Sequence, residues 1–513
     1  MDLTAWVIGY LGGGILIYAL ALHIYWRNWL TLGHYRLTKT IAIIHIPYIT
    51  LVTTIFCYEG IRILSGLPEW FISAYSIKVL FILNLMLHSL VFFSAIRLYG
   101  QAWIVRQKYG ARPFFGPYLT FGPDPTTTIT LTWENSKQGR NCQKEQDFRM
   151  GTSPTGLISH VGTVQLNERL ARVTLAGLQP GNTYYYQIPR NTETFHFETA
   201  PQWDPKTKTI PAFEFVIVGD LHGSAKDVSQ TVKLIRDLEP NVKFILSPGD
   251  ITTDARIWQH WRTLWNQMRL VASNLPVESA PGNHDAELAR GASHWRKMLP
   301  YPYANPTSGL YFTFTYLNTS FFILDNYNAG RGQGSSKFVP APEQIAWLDQ
   351  ELAKLPPTII HRVVVIHKAI YTTGDFGCDP DLEVLLLPLI NKYRVNLVVA
   401  GHSHLFEAFF RPDINQPRGT AFIVTGGGGG KLDWVSLKYS ASPYRWSDRV
   451  HIAKSRPFLE GNPRSPFRND PVVCQYQEFG KLCRHILRVI VKGETMTVRA
   501  IEWGGNTIYE RTW

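Results

Sequence analysis

Cysteine is scarce. The 513-residue chain has five, Cys57, Cys142, Cys378, Cys474 and Cys483, with no CxxC pair and no Cys/His spacing of a zinc module. This excludes a disulfide-stapled scaffold and a thiolate zinc site. Cys474 and Cys483 are close enough in sequence to pair, and two free thiols explain them equally well. Charge is scarce too: 18% of residues are charged against 45% apolar. Such a chain is not mainly disordered and can build a sizeable core. Its length suggests about two to four domains. Acidic side chains are the rarer sign, 39 against 51 basic, for a net charge of +12. Half of that excess lies in residues 1–112, where nine basic residues face only Asp2, Glu59 and Glu69. The rest is spread too thinly for a nucleic-acid-binding face, and no nucleic-acid partner is expected.

Within residues 1–112 the charge-free stretches are long. Leu3–Trp26, Ile41–Tyr58 and Val79–Ile96 contain no Asp, Glu, Lys or Arg. About 20 apolar residues cross a hydrocarbon core, and one cleaved leader would not explain three runs. The expectation is an α-helical transmembrane segment of three helices, hence a multi-pass membrane protein with the lipid bilayer as a partner. Arg27, Arg36, Lys39, Arg97, Arg106, Lys108 and Arg112 fall on one face of that arrangement, which favours a cytoplasmic catalytic domain. Each run carries a histidine, His23, His45 and His88. Polar packing and a metal or haem site between helices both remain open.

From residue 113 the pattern changes. Thr128–Asn135 and Thr194–Thr199 alternate, and Ala171–Ile188 reads as a strand, a Pro180-Gly181 turn and an aromatic strand. A small β-sandwich over 113–201 follows, with Trp133 and Tyr186 in its core. From Phe213 the pattern becomes strand, loop, helix, as in an α/β domain over 202–513. Its strands are continuous apolar runs, expected where both faces are covered. Val228, Val232, Ile235 and Leu238 are spaced to line one helix face. The final stretch, His485–Trp503, reads as two edge strands around Gly493.

Five of these runs end in residues of one chemistry. In order they are Gly219-Asp220-Leu221-His222, Gly249-Asp250, Gly282-Asn283-His284-Asp285, Val364–His367 and Gly401-His402-Ser403-His404. Any one of them is commonplace. Five in succession, each at the carboxyl end of an apolar strand where α/β folds build their sites, form one constellation. Carboxylate oxygens and imidazole nitrogens suit Mn, Fe or Zn, and one carboxylate can bridge two ions.

These blocks resemble the calcineurin-like metallophosphoesterases over about residues 213–502. By position the resemblance implies one metal held by Asp220, His222, Asp250 and His404. A second would be held by Asp250, Asn283, His367 and His402. His284 would be the catalytic acid beside the phosphate, oriented by catalytic Asp285. Asn283, His284 and His367 would also meet substrate. The module at 113–201 resembles the fibronectin-III-like domain that precedes the catalytic domain of purple acid phosphatases. The implied fold is therefore multidomain: a membrane segment, a β-sandwich, then an α/β four-layer sandwich. The implied activity is acid-phosphatase-like hydrolysis of phosphate esters by attack of a metal-bridging hydroxide. A phosphodiesterase, a lipid-linked phosphate or pyrophosphate hydrolase, and a non-catalytic phosphate sensor are the alternatives. Two departures stand out. Thr253 and His222 replace the tyrosine-based first site of the purple enzymes, so no tyrosinate colour is expected. Leu405-Phe406-Glu407-Ala408 lacks the arginine of their Tyr-Glu-Arg run.

Overall fold

The structure is a computed structural model. It describes residues 115–513 apart from 135–147, 160–164, 167–169, 190, 205, 207–209, 240, 287–291, 307, 328–338, 375–377, 414–415 and 434–475. Among the described residues no helix is long and apolar enough to cross a membrane. This corrects the expected fold class at its first element. The helical transmembrane segment, the multi-pass localisation with its cytoplasmic catalytic side, and the bilayer as partner lose their support. The three charge-free runs and their histidines lie outside the described residues.

Two four-stranded antiparallel sheets come first. One has the order β1-β2-β6-β5, from β1 (Tyr118–Phe121), β2 (Ile129–Glu134), β5 (Gln165–Leu166) and β6 (Leu170–Leu175). The other has the order β4-β3-β7-β8, from β3 (Arg149–Gly151), β4 (Ile158–Ser159), β7 (Thr183–Gln187) and β8 (Phe195–Glu198). Alternation works as expected in β6, β7 and β8, where every second side chain is buried. Trp133 and Tyr186 lie in the core with Phe148 and Phe197.

Two further sheets make the α/β part. The first has the order β11-β10-β9-β19-β20-β21. Its members are β9 (Phe213–Ile217), β10 (Val242–Ser247), β11 (Val277–Ser279), β19 (His485–Lys492), β20 (Thr495–Glu502) and β21 (Thr507–Thr512). The second has the order β12-β13-β14-β15-β17-β16-β18. It is built from β12 (Phe312–Tyr316), β13 (Thr319–Ile323), β14 (His361–Val365), β15 (Leu397–Ala400), β16 (Phe406–Asp413), β17 (Gln416–Thr425) and β18 (Gln477–Lys481). Phe215 and Phe244 of the first sheet meet Phe321 of the second edge-on at 5.2 and 5.4 Å. Strands β9–β11 run parallel, as do β13, β14, β15 and β17. The two sets bring their carboxyl ends to one place. The last strands differ from expectation. β19 pairs antiparallel with β9 in the interior of its sheet, not at an edge. Its burial on both faces, from Ile486 to Val491 with only Arg488 partly exposed, matches that position.

Among the described residues five helices cover the sheets: α1 (Ala225–Arg236), α2 (Trp258–Ala272), α3 (Ser293–Met298), α4 (Pro342–Ala353) and α5 (Pro380–Lys392). The Ser224 hydroxyl caps α1 by accepting from Asp227 N at 3.2 Å, and Asp379 caps α5 by accepting from Leu382 N at 3.0 Å. Val228, Val232 and Ile235 are the buried stripe of α1; Leu238 lies just past its end. Leu348 and Leu352 of α4 pack with Leu382, Leu386 and Ile390 of α5 over Phe322 and Val364.

The β-sandwich is built into the α/β part. Tyr118 stacks on Trp265 at 3.7 Å and donates to Met298 O at 2.5 Å. Glu278 of β11, fully buried, accepts from Phe121 N at 2.8 Å and from the Tyr303 hydroxyl at 2.5 Å. Burial pushes this carboxyl up to about 8 despite both hydrogen bonds. The folded form therefore holds a proton that the unfolded chain releases near pH 4.5. Stability from this group is full below pH 4.5 and is lost as pH rises through 8. The shift corresponds to at most on the order of 5 kcal/mol. Urea unfolding of Glu278→Gln at several pH values should show a flatter decline between pH 5 and 8 than the parent. Parallel curves would exclude the assignment.

Candidate metal centre

Each of the five blocks sits at the carboxyl end of a parallel strand: Asp220 and His222 after β9, Asp250 after β10, Asn283 to Asp285 after β11, His367 after β14, His402 and His404 after β15. Asp220, Asp250 and His402 adopt left-handed backbone angles, φ 58°, 53° and 67°. Non-glycine residues rarely do so, and such strain gathers at sites that need a fixed side-chain direction. The glycines permit close approach. A Cβ on Gly282 would fall 2.2 Å from Asp250 Oδ1, and one on Gly430 would fall 2.7 Å from His404 Cε1 and 3.0 Å from His222 Nε2.

Three groups of donor atoms result, each with its atoms within 4.8 Å of one another: Asp220, His222 and His404; His222, Asp250 and His284; and Asp250, His367 and His402. In the first, His404 Nε2 is 3.2 Å from Asp220 Oδ1 and 3.1 Å from His222 Nε2. In the last, His367 Nε2 is 3.3 Å from Asp250 Oδ2 and 3.0 Å from Asn283 Oδ1. Asp250 is the link. Its Oδ2 lies 3.3, 3.7 and 4.0 Å from Nε2 of His367, His222 and His284.

Three rings are aimed by backbone carbonyls. Nδ1 of His284 donates to Thr253 O at 2.7 Å, Nδ1 of His367 donates to Pro248 O at 2.9 Å, and Nδ1 of His404 donates to Lys431 O. A carbonyl only accepts, so Nδ1 carries the proton and Nε2 faces the centre. The carboxylates are held as well. Asp220 Oδ2 accepts from His402 N at 3.0 Å, and Asp250 Oδ1 accepts from His284 N at 2.7 Å.

Protonation follows charge. Burial pushes Asp220 up, yet hydrogen bonds from His222 and His404 outweigh it and hold it at about 2. Burial also opposes ionisation of Asp250, but positive His367 and His284 keep it well below the ordinary carboxylate range. His404 and His367 are pulled down by burial and lifted further by Asp220 and Asp250, each to about 9. His402 and His222 go the other way. Burial and then the neighbouring charge, His367 for one and His284 for the other, drop them to about 3 and 4. Two ionised carboxylates thus stand among imidazole nitrogens that converge. Buried Asp220 Oδ1 faces Nε2 of His404 and of His222 at 3.2 and 3.7 Å. A cation in place of the imidazole protons would meet this oxygen and nitrogen set, which suits Mn, Fe or Zn.

Asp285 departs from its expected place. Its carboxylate accepts from Ile251 N, Thr252 N and Gly282 N at 3.3, 3.2 and 3.0 Å. It ties the β10 loop to the β11 loop, while Thr253 O orients His284. The family resemblance implied that Asp285 orients His284, whereas its carboxylate faces these three backbone N–H groups. Three other contributors were not legible as site residues. Asp433 accepts from His404 N at 3.0 Å. Asn326, just beyond β13, accepts from His367 N at 2.8 Å. Glu407 accepts from the Thr372 hydroxyl, Thr373 N and Gln477 Nε2 at 2.7, 3.1 and 3.0 Å. Only Asn326 left a signal: "FFILDN" is a sixth apolar run ending in polar residues.

The parallel strand ends bring carboxylates and imidazoles into groups that could hold metal ions. Residues 213–406 match the calcineurin-like phosphoesterase family model. The chain is 28% identical over 285 residues to probable purple acid phosphatase 20 of Arabidopsis thaliana, covering 52% of this chain and 62% of that one. It is 28% identical over 287 residues to purple acid phosphatase 22 of the same plant, covering 54% and 62%. It thus spans under two thirds of the length of these curated relatives. In fold it is similar to a purple acid phosphatase from yellow lupin seeds, with a TM-score of 0.58 at 16% identity over 77% of this chain and 73% of that one. Over part of its length the chain is thus similar to calcineurin-like phosphoesterases and to purple acid phosphatases.

Proposed function

We propose that this chain hydrolyses phosphate esters at a dinuclear metal centre, in the manner of an acid phosphatase. The observation that carries the reading is the pair of donor groups on either side of Asp250. Asp220, His222, Asp250 and His404 would hold one ion, and Asp250, Asn283, His367 and His402 the other. Two such cations, when bound, lower the pKa of a shared water to near neutrality and offset charge on phosphate oxygens. The chain supplies the rest. His284 Nε2 is the proton donor to the leaving oxygen, on a side chain 37% exposed. Its Nδ1–H bond to Thr253 O sets the ring direction and turns Nε2 toward the centre. Asn283, His284 and His367 would meet the phosphate oxygens. The domain division proposed is a β-sandwich over 113–201 and a catalytic domain over 202–513. The lipid-linked alternative rested on the membrane segment and falls with it.

The test is hydrolysis of nitrophenyl phosphate and bis-nitrophenyl phosphate by the full chain, with metal content measured alongside. Turnover at about two ions per chain supports the reading. Tight binding of inorganic phosphate without turnover on any substrate or metal supports a sensor instead. Colour gives a separate prediction. Thr253 has no phenolate to offer, so the iron-loaded protein should lack the visible tyrosinate band of the purple enzymes. A band in that region would show that a tyrosine from elsewhere ligates the metal.

A further inference from the structure

We infer that Asn326 is a positioning residue for His367, and that the metal held by Asn283, His367 and His402 depends on it. The inference rests on the dinuclear reading above. Strands β13 and β14 pair in parallel as far as Ile323 and Val365, and Leu324 N still donates to Val365 O at 2.9 Å. Beyond that the ladder stops, just where His367 must leave the sheet. One side chain takes over the hydrogen bonding. Asn326 is fully buried. Its Oδ1 accepts from His367 N at 2.8 Å and Lys368 N at 3.2 Å, and its Nδ2 donates to Lys368 O at 2.8 Å. A primary amide is the side chain that can both accept from two N–H groups and donate to a carbonyl at once.

The other two constraints on His367 come from different directions. Its carbonyl accepts from Gly401 N at 2.9 Å, and its Nδ1 donates to Pro248 O at 2.9 Å. Asn326 therefore fixes the side of the peptide that neither of them reaches. It is itself anchored by a second buried amide. Gln344, in the first turn of α4, brackets Asp325: Asp325 N donates to its Oε1 at 2.8 Å, and its Nε2 donates to Asp325 O at 3.0 Å. A rigid helix is thus linked through two amides to one proposed ligand. Asp220, His222 and His404 receive no bond from Asn326, so its loss should bear on one ion and spare the other. Partners of this kind, one step behind a ligand, typically change metal affinity by about 10- to 100-fold.

The experiment is calorimetric titration of the metal-free full chain with Zn²⁺, in the parent and in Asn326→Ala, Asn326→Asp and His367→Ala. The parent should show two binding steps, and the step removed by His367→Ala identifies the ion concerned. Asn326→Ala should weaken that step by about 10- to 100-fold and leave the other within about threefold. Its kcat should recover at high metal. Asn326→Asp keeps the acceptor for both N–H groups and loses only the donor to Lys368 O, so it should recover part of the lost affinity. It also serves if the alanine variant does not fold. Equal weakening of both steps, or no change in either variant, overturns the positioning role. A single step in the parent overturns the dinuclear reading itself and this inference with it.

Discussion

Asp250→Asn should lower phosphoester turnover by on the order of 10³-fold or more and bring the metal content from two ions to nearly none. The reason is position. No other carboxylate among the described residues belongs to two of the donor groups, and its Oδ2 is within 4.0 Å of three imidazole nitrogens. The amide keeps the volume and can still accept from His284 N, so the loop between Asp250 and Ala255 should stay in place. Only the charge is removed, from a residue that is 1% exposed. The surrounding imidazoles then lose the anion that lifts His367, and the site no longer offsets two cations. Metal analysis after dialysis, with circular dichroism as a control for folding, checks this. A folded variant that keeps two ions removes Asp250 from the bridging place. Asp220→Asn provides the contrast: Asp220 belongs to one group only, so one ion should remain.

Much of this centre was legible before any coordinates, because strand-end chemistry leaves a dense trace. Asp220, His222, Asp250, His367, His402 and His404 stand directly after apolar runs, and the fold brings them into three overlapping groups. The β-sandwich was legible from alternation in β6 to β8. What escaped has a common cause. Asn326, Asp433 and Thr253 act through backbone hydrogen bonds to residues distant in sequence, and such pairings carry no local period. Thr253 contributes a carbonyl, which every residue possesses, so side-chain chemistry could not point to it. Asp285 misled for the converse reason: its side chain had the right chemistry and faces three backbone N–H groups. The C-terminal hairpin was misplaced because period-two alternation distinguishes strand from helix but not edge from interior. The burial of β19 has a trace in "HILRVIVK", where apolar residues fill both faces except at Arg488. The membrane segment failed by the opposite route, a composition rule applied where no pattern of ligands or turns could check it.

His284→Ala should cost turnover in proportion to the leaving group. For an alkyl phosphate, whose departing alkoxide needs a proton, the loss should be about 10²- to 10⁴-fold. For nitrophenyl phosphate, whose leaving group departs as a stable anion, it should be under about tenfold. The geometry supports this split. His284 is the most exposed of the clustered histidines, its side chain 37% exposed against 16% for His404 and 9% for His222, with His367 and His402 buried. Its Nε2 is 4.0 Å from Asp250 Oδ2, farther than the Nε2 atoms of His222 or His367. It is therefore the member of the cluster with most room to meet a substrate, and Thr253 O holds its other nitrogen protonated. If His284 is instead a ligand through its group with His222 and Asp250, the same variant loses metal and slows both substrates alike. Metal content measured beside the two rates separates the roles. Asp285→Asn supplies the last discrimination. Because Asp285 ties the β10 and β11 loops rather than the His284 ring, its loss should slow both substrates equally, without the leaving-group slope. A slope like that of His284→Ala would return Asp285 to the proton-transfer pathway.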